Sequence, residues 1–130
     1  MDSQKKKIFL VDDDQFLLNM YTIKFTNSGF EVESATTGQA ALQKLRDGFS
    51  PDAVLFDIVM PSMDGLELLS HVKEEKLETG ARFIALTNQG QTTDIERAQA
   101  LGVSGYIVKA STIPSEMVEE VRHILAKSPK

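Results

Sequence analysis

The stretch Ala53-Val54-Leu55-Phe56-Asp57 decides the fold, because four apolar residues without polar alternation read as a strand covered on both faces, with a carboxylate at its end. Similar short runs flank it: Ile8-Phe9-Leu10-Val11 and Glu31 to Ala35 upstream, Phe83-Ile84-Ala85-Leu86 and Tyr106-Ile107-Val108 downstream. Segments of helical period separate them. The first extends from about Asp14 to Asn27 and is stopped by Ser28-Gly29; the second, from about Thr37 to Asp47, turns Ala40, Ala41, Leu42 and Leu45 inward. A third follows the Pro61 to Gly65 turn as far as about Lys76, and a fourth covers about Thr93 to Leu101. Pro114 opens a fifth, whose apolar face is Met117, Val118, Val121, Ile124 and Leu125. Strands and helices in strict alternation predict a doubly wound α/β domain, (βα)5, around a five-stranded parallel sheet. The last helix is expected to close one edge of that sheet.

Length and composition agree with a single such unit. The 130 residues suit one domain, expected over 1–130 with a core of about 7–126 and no output domain. The lack of cysteine excludes disulfides, thiolate metal sites and cysteine nucleophiles. A net charge of −5 recommends neither nucleic acid nor an anionic membrane as a direct partner, and the apolar runs are far shorter than the ~20 residues of a membrane span. The basic segment Met1 to Lys7 leads into only four apolar residues, too few for a secretory leader, so a cytoplasmic location is expected.

In open α/β sheets, ligands bind beyond the carboxyl ends of the strands. Here the first strand ends in Asp12-Asp13-Asp14, the third in Asp57, the fourth in Thr87 and the fifth in Lys109. If the strand order is 2-1-3-4-5, these four ends are contiguous and set carboxylates, a hydroxyl and an ammonium along one rim. Converging carboxylates repel one another unless a proton or a hard cation intervenes. Oxygen donors without histidine or cysteine favour Mg2+, with Mn2+ as the other candidate. The competing structural reading is that the aspartates cap the first helix, a task for which one of them, Asp14, suffices. Asp57 is harder to explain away, since an ionised carboxylate after a doubly covered strand is rare unless paired or metal-bound. Thr87 or Lys109 alone carries little signal. Together, a nucleophilic carboxylate, a hydroxyl donor and a cation fit phosphoryl transfer.

These residues fall into four ordered motifs: Val11-Asp12-Asp13, then Asp57-Ile58-Val59-Met60-Pro61 with Asp64-Gly65, then Leu86-Thr87, then Tyr106-Ile107-Val108-Lys109. In them the chain resembles a response-regulator receiver domain of two-component signal transduction, similar to single-domain chemotaxis-type receivers, over roughly Lys7 to Ala126. The resemblance implies the flavodoxin-like order 2-1-3-4-5. It makes Asp57 the phosphoacceptor, taking a phosphoryl group from the phosphohistidine of a sensor histidine kinase or histidine phosphotransferase. It implies Mg2+ ligated by Asp13, Asp57 and the backbone carbonyl of Val59, with Asp12 acting mainly through water. Thr87 and Lys109 would each meet a phosphoryl oxygen, and Tyr106 would be the switch aromatic that turns inward as the threonine moves. The surface of the fourth helix, fifth strand and last helix would then pass the signal to a downstream protein target or to a second copy in a homodimer. Such a protein is a signalling phosphoacceptor rather than an enzyme, although it promotes its own phosphorylation and autodephosphorylation.

Four positions depart from the family's habit. Ala110 rather than proline follows Lys109, so a cis bond there would cost about 2.5–4 kcal/mol. Asn88 is bulkier than the residue common after the threonine and should narrow access for small phosphodonors. Val59 cannot polarise a hydrolytic water and Gln89 offers only an amide, which predicts a phosphorylated state slow to hydrolyse. The first helix carries an apolar arc of about 220°, more than the roughly 100° that core burial needs. Its surplus strip, Phe16, Met20 and Ile23, is expected to face outward as a partner-binding surface. Competing α/β readings fail on particular residues: aspartates stand where a dinucleotide-binding turn needs glycine, and Val59 stands where an aspartyl-nucleophile phosphatase needs a second acid. The remaining alternative is a non-phosphorylated pseudo-receiver that serves as a protein-interaction module.

Overall fold

All five residues of the strand Ala53–Asp57 are buried, as its unbroken apolar run demands. The structure, a computed structural model, describes residues 5–78, 80–88 and 92–127, with the backbone alone of Thr92. In chain order the elements are β1 (Lys7–Val11), α1 (Gln15–Asn27), β2 (Glu31–Ala35), α2 (Gly38–Arg46), β3 (Ala53–Asp57), α3 (Gly65–Glu74), β4 (Arg82–Thr87), α4 (Thr92–Ala100), β5 (Gly105–Val108), a 3-10 turn (Lys109–Ser111) and α5 (Pro114–Ala126). The sheet is parallel throughout and ordered β2-β1-β3-β4-β5. Its register sets Val11 beside Phe56, Asp57 beside Leu86 and Thr87 beside Val108, so the ends of four adjacent strands share one rim.

The two-residue period of the strands sorts the core into two layers. Phe9, Val54, Phe56 and Ala85 pack under α2, α3 and α4; Ile8, Leu10, Leu55, Ile84 and Leu86 pack under α1 and α5. Side-chain caps set two helix starts a residue later than the apolar pattern suggests. Asp14 accepts from the Leu17 N–H at 3.1 Å and Thr37 accepts from the Ala40 N–H at 3.0 Å. Ala40, expected to face inward, is exposed, and Gly38 takes the inner position, where a Cβ would lie 2.7 Å from the Met63 carbonyl oxygen. The third helix ends at Glu74 rather than Lys76, whose φ of 58° cannot continue it. The fifth helix does not close an edge of the sheet. Its Met117, Val118, Val121 and Ile124 pack beside Leu18, Tyr21 and Phe25 on one face, which leaves the outer edge of β5 open. Among the described residues no peptide bond is cis, so Lys109-Ala110 is trans, and no helix is long and apolar enough to cross a membrane. The expectation for Gln89 and the part of the basic segment from Met1 to Gln4 lie outside the described residues.

Candidate functional site

Among the described residues the carboxyl rim of the sheet buries three polar side chains: Asp12 is 1% exposed, Asp57 4% and Thr87 3%. The Lys109 ammonium, delivered by the turn after β5, donates to Asp12 Oδ2 at 3.0 Å and to Asp57 Oδ2 at 3.3 Å. Carboxylate oxygens of Asp12, Asp13 and Asp57 all lie within 4.8 Å of one another, with Asp13 turned to solvent. The three consecutive aspartates thus divide their tasks. Asp14 caps α1, while Asp12, whose Oδ1 also accepts from the Asp14 N–H at 2.9 Å, points into the cluster.

Electrostatics follow from this crowding. Burial pushes the Asp57 carboxyl up to about 6 and the neighbouring Asp12 adds to the rise, while the Lys109 ammonium and the Val59 N–H hold it back. Burial opposes the charge on Lys109, but its hydrogen bond to Asp12 and the charge of Asp57 outweigh that, and its affinity for the proton rises. Three carboxylates face one ammonium, two of them nearly removed from water. A hard divalent cation fits that excess of charge, and the all-oxygen donor set is the one Mg2+ takes.

The loop between β3 and α3 is pinned close to Asp57. The Ile58 N–H reaches Leu86 O at 3.0 Å and the Gly65 N–H reaches Ile58 O at 2.9 Å. A Cβ on Gly65 would stand 2.2 Å from the Asp57 carbonyl oxygen, so only glycine permits this approach. Asp64 and Glu67 then close a reciprocal capping box at 2.9 and 3.0 Å that starts α3.

The Val59 side chain is 64% exposed, and Tyr106 is 40% exposed, in register with Ala85 of the layer under α2, α3 and α4. Asn88 is exposed, and its carbonyl accepts from the Ala110 N–H at 3.3 Å. On α1, Phe16 and Ile23 are exposed, but Met20 is half-buried against the core, so the outward strip is two points rather than three. The structure also pairs Asp12 directly with Lys109, a contact that the sequence reading does not contain. The signal was available: a lysine at a buried strand end requires a permanent anion. Ile113, exposed at the start of α5, also went unnoticed, because one apolar residue before a proline carries no pattern.

The profile of the response regulator receiver domain matches residues 8–122, and the chain belongs to that family, whose members are signalling phosphoacceptors of two-component systems. The chain is 36% identical over 113 residues to the chemotaxis protein CheY of Halobacterium salinarum, covering 86% of this chain and 91% of that one. It is 30% identical to the DNA-binding response regulator MtrA of Mycolicibacterium smegmatis over 98% of this chain and 54% of that protein. It therefore spans nearly all of the archaeal relative but about half the length of the transcriptional regulators it matches. Among solved structures, a CheY-like receiver domain protein from Methanospirillum hungatei superposes with a TM-score of 0.84 at 31% identity, covering 94% of each chain. A putative response regulator from Chloroflexus aurantiacus gives 0.85 at 29% identity, covering 95% of this chain and all of the other.

Proposed function

We propose that this chain accepts a phosphoryl group on Asp57 from a phosphohistidine of a sensor histidine kinase or a histidine phosphotransferase, and that the acyl phosphate switches the α4–β5–α5 surface toward a downstream protein. The observation that carries this reading is the Asp57 carboxylate, buried at the strand end within reach of Lys109 and beside two further carboxylates. In the transfer, an Asp57 Oδ attacks phosphorus and a P–O bond forms. The P–N bond breaks, its electron pair stays on the imidazole nitrogen, and the ring leaves neutral, protonated at its other nitrogen. Asp13, Asp57 and the Val59 carbonyl would hold Mg2+, with Asp12 acting through water, and the bound ion supplies neutralisation of the charge gathered between carboxylates and phosphoryl oxygens. Lys109 exchanges its bond to Asp57 for one to a phosphoryl oxygen, and the Thr87 hydroxyl donates to another. Tyr106 moves inward as Thr87 shifts. Phe16 and Ile23, exposed on the helix that Asp14 starts, offer the donor's helices an apolar footing beside the pocket.

Intact-mass measurement after incubation with Mg2+ and a promiscuous phosphorylated histidine kinase tests the reading. One phosphoryl increment is expected in the wild type, lost on chelation and in Asp57→Asn. Its absence in the wild type while Mg2+ still binds would replace the phosphoacceptor with a protein-interaction module. Once formed, the phosphoryl group should be slow to hydrolyse, because the exposed Val59 presents only methyl groups to an incoming water. Val59→Asn should shorten its lifetime severalfold, and an unchanged lifetime removes that explanation.

A further inference from the structure

With α5 on the face of the sheet, the outer edge of β5 forms the floor of an open groove of about 610 Å3 between α4 and α5. Gln99 forms its α4 wall, Ser104, Tyr106 and Val108 lie along the floor, and Glu116 and Glu120 form its α5 wall. The groove is polar in one sense. Glu116 and Glu120 are both exposed, four residues apart and hence one above the other on the helix, and among the described residues Glu120 has no ion-pair partner. Glu96, also exposed, stands one turn before Gln99 on α4, at the margin of the groove rather than in its lining. The neighbouring arginines do not offset this charge: Arg97 pairs with Asp94 at 3.7 Å, and Arg122 turns away to Glu119 and to the Ser28 carbonyl. Among the described residues of the lining Lys127 is the one cation, at the far end.

We propose that this groove docks an extended, basic segment of a partner protein, with lysine or arginine side chains set against Glu116, Glu120 and Glu96 and alternate apolar side chains laid over Tyr106 and Val108. The edge strand supplies the geometry, since β5 pairs only with β4 and can accept a further strand on its open side. The acidic walls supply the choice of occupant. A second copy of this chain, placed on the same face by a two-fold axis, would set acidic wall against acidic wall. The proposal deepens the reading of α4–β5–α5 as the output surface and rests on it for its biological use, but binding itself needs no phosphoryl group.

The probes are two short synthetic peptides, one alternating lysine with valine and one alternating glutamate with valine, titrated into the isotope-labelled full chain and followed by amide NMR shifts. The lysine peptide should shift Gly105 to Val108 and the α5 wall, weaken as ionic strength rises from about 0.05 to about 0.5 M, and weaken about fivefold in Glu120→Lys. Among the described residues Glu120 accepts no hydrogen bond, so that variant should keep its structure, which its own spectrum checks. Equal binding of both peptides, shifts confined to other elements, or no shift up to ~1 mM would overturn the proposal. Dimerisation in sedimentation that Glu120→Lys strengthens would overturn it in favour of a second copy. Phosphoryl uptake is scored separately by mass, so failure of the groove and failure of the phosphoacceptor reading appear as different results.

Discussion

The two rims of one sheet solve the problem of charge in opposite ways. At the amino rim two charged side chains meet backbone: Asp52 accepts from the Lys7 N–H at 2.7 Å, and the Arg82 guanidinium donates to the Ile124 and Lys127 carbonyls at 2.5 and 2.6 Å. Those carbonyls are the last of α5, where a helix welcomes positive charge. At the carboxyl rim the same strands deliver Asp12, Asp57 and Lys109 to one another, with Asp13 alongside, and the negative charge exceeds the positive. One end is built to hold and the other to respond, since groups left incompletely neutralised have most to gain from a ligand.

The largest effect should come from the one rigid point of the responsive rim. Gly65→Ala places a methyl group 2.2 Å from the Asp57 carbonyl oxygen and 2.6 Å from the Phe56 ring. Neither can retreat without moving β3, so a loss of about 3 kcal/mol or more is expected in denaturant unfolding. A loss below about 1 kcal/mol would mean that the loop yields and that the pinning of Val59 beside Asp57 is loose.

Next is the pH dependence of the carboxyl rim in chelator. The Asp57 carboxyl is held up at about 6 against an ordinary 3.8. The folded protein therefore keeps a proton that the unfolded chain has released, and its stabilising effect is complete below about pH 4 and lost as pH rises through about 6. A gap of about two pH units corresponds to up to about 3 kcal/mol. Relative to Asp57→Asn, which has no proton to lose, the wild type should become less stable by up to that amount between pH 4 and 7. Saturating Mg2+, at ~100 times its dissociation constant, should return about 2.7 kcal/mol to the wild type. Parallel curves for the two proteins would show that Lys109 already neutralises the site.

What the sequence disclosed follows the same division. The strands and the residues at their carboxyl ends were legible because a doubly covered strand is an uninterrupted apolar run, and the polar residue that stops it stands out, as Asp57 does after Phe56. The amino rim was silent. Arg82 before Phe83 reads as a solvated residue, and its partners are carbonyls 42 and 45 residues away, which carry no side-chain signature. The direct pairing of Asp12 with Lys109 spans 97 residues and depends on β1 and β5 converging on the end of β3, a matter of strand order rather than local pattern. Met20 fell inside the apolar arc of α1, but a wheel cannot say how far the neighbouring α5 reaches around the helix.

Arg82→Ala should cost about 2 kcal/mol, because two charge-assisted hydrogen bonds at the end of α5 disappear from a half-buried position. Phosphoryl uptake by Asp57 should be unchanged. Reduced uptake at full folding would show that the C-terminal anchoring of α5 is transmitted to Lys109 at its other end.

The smallest effect tests whether the two rims are independent. Asp52→Ala removes one exposed bond to the Lys7 N–H and should cost about 1 kcal/mol. Asp52 and Asp57 stand at opposite ends of β3, whose five residues span ~17 Å. Over that distance screened charges interact weakly and no side chain is shared, so the stability changes of Asp52→Ala and Asp57→Asn should add to within about 0.5 kcal/mol. β3 joins them directly, and a rigid strand transmits displacement without transmitting energy unless it has two positions. Additivity at pH 7 in chelator would therefore assign the response to the loops beyond the strand ends. A coupling well above that figure would make β3 a moving part, shifted along its own axis when the charge on Asp57 changes.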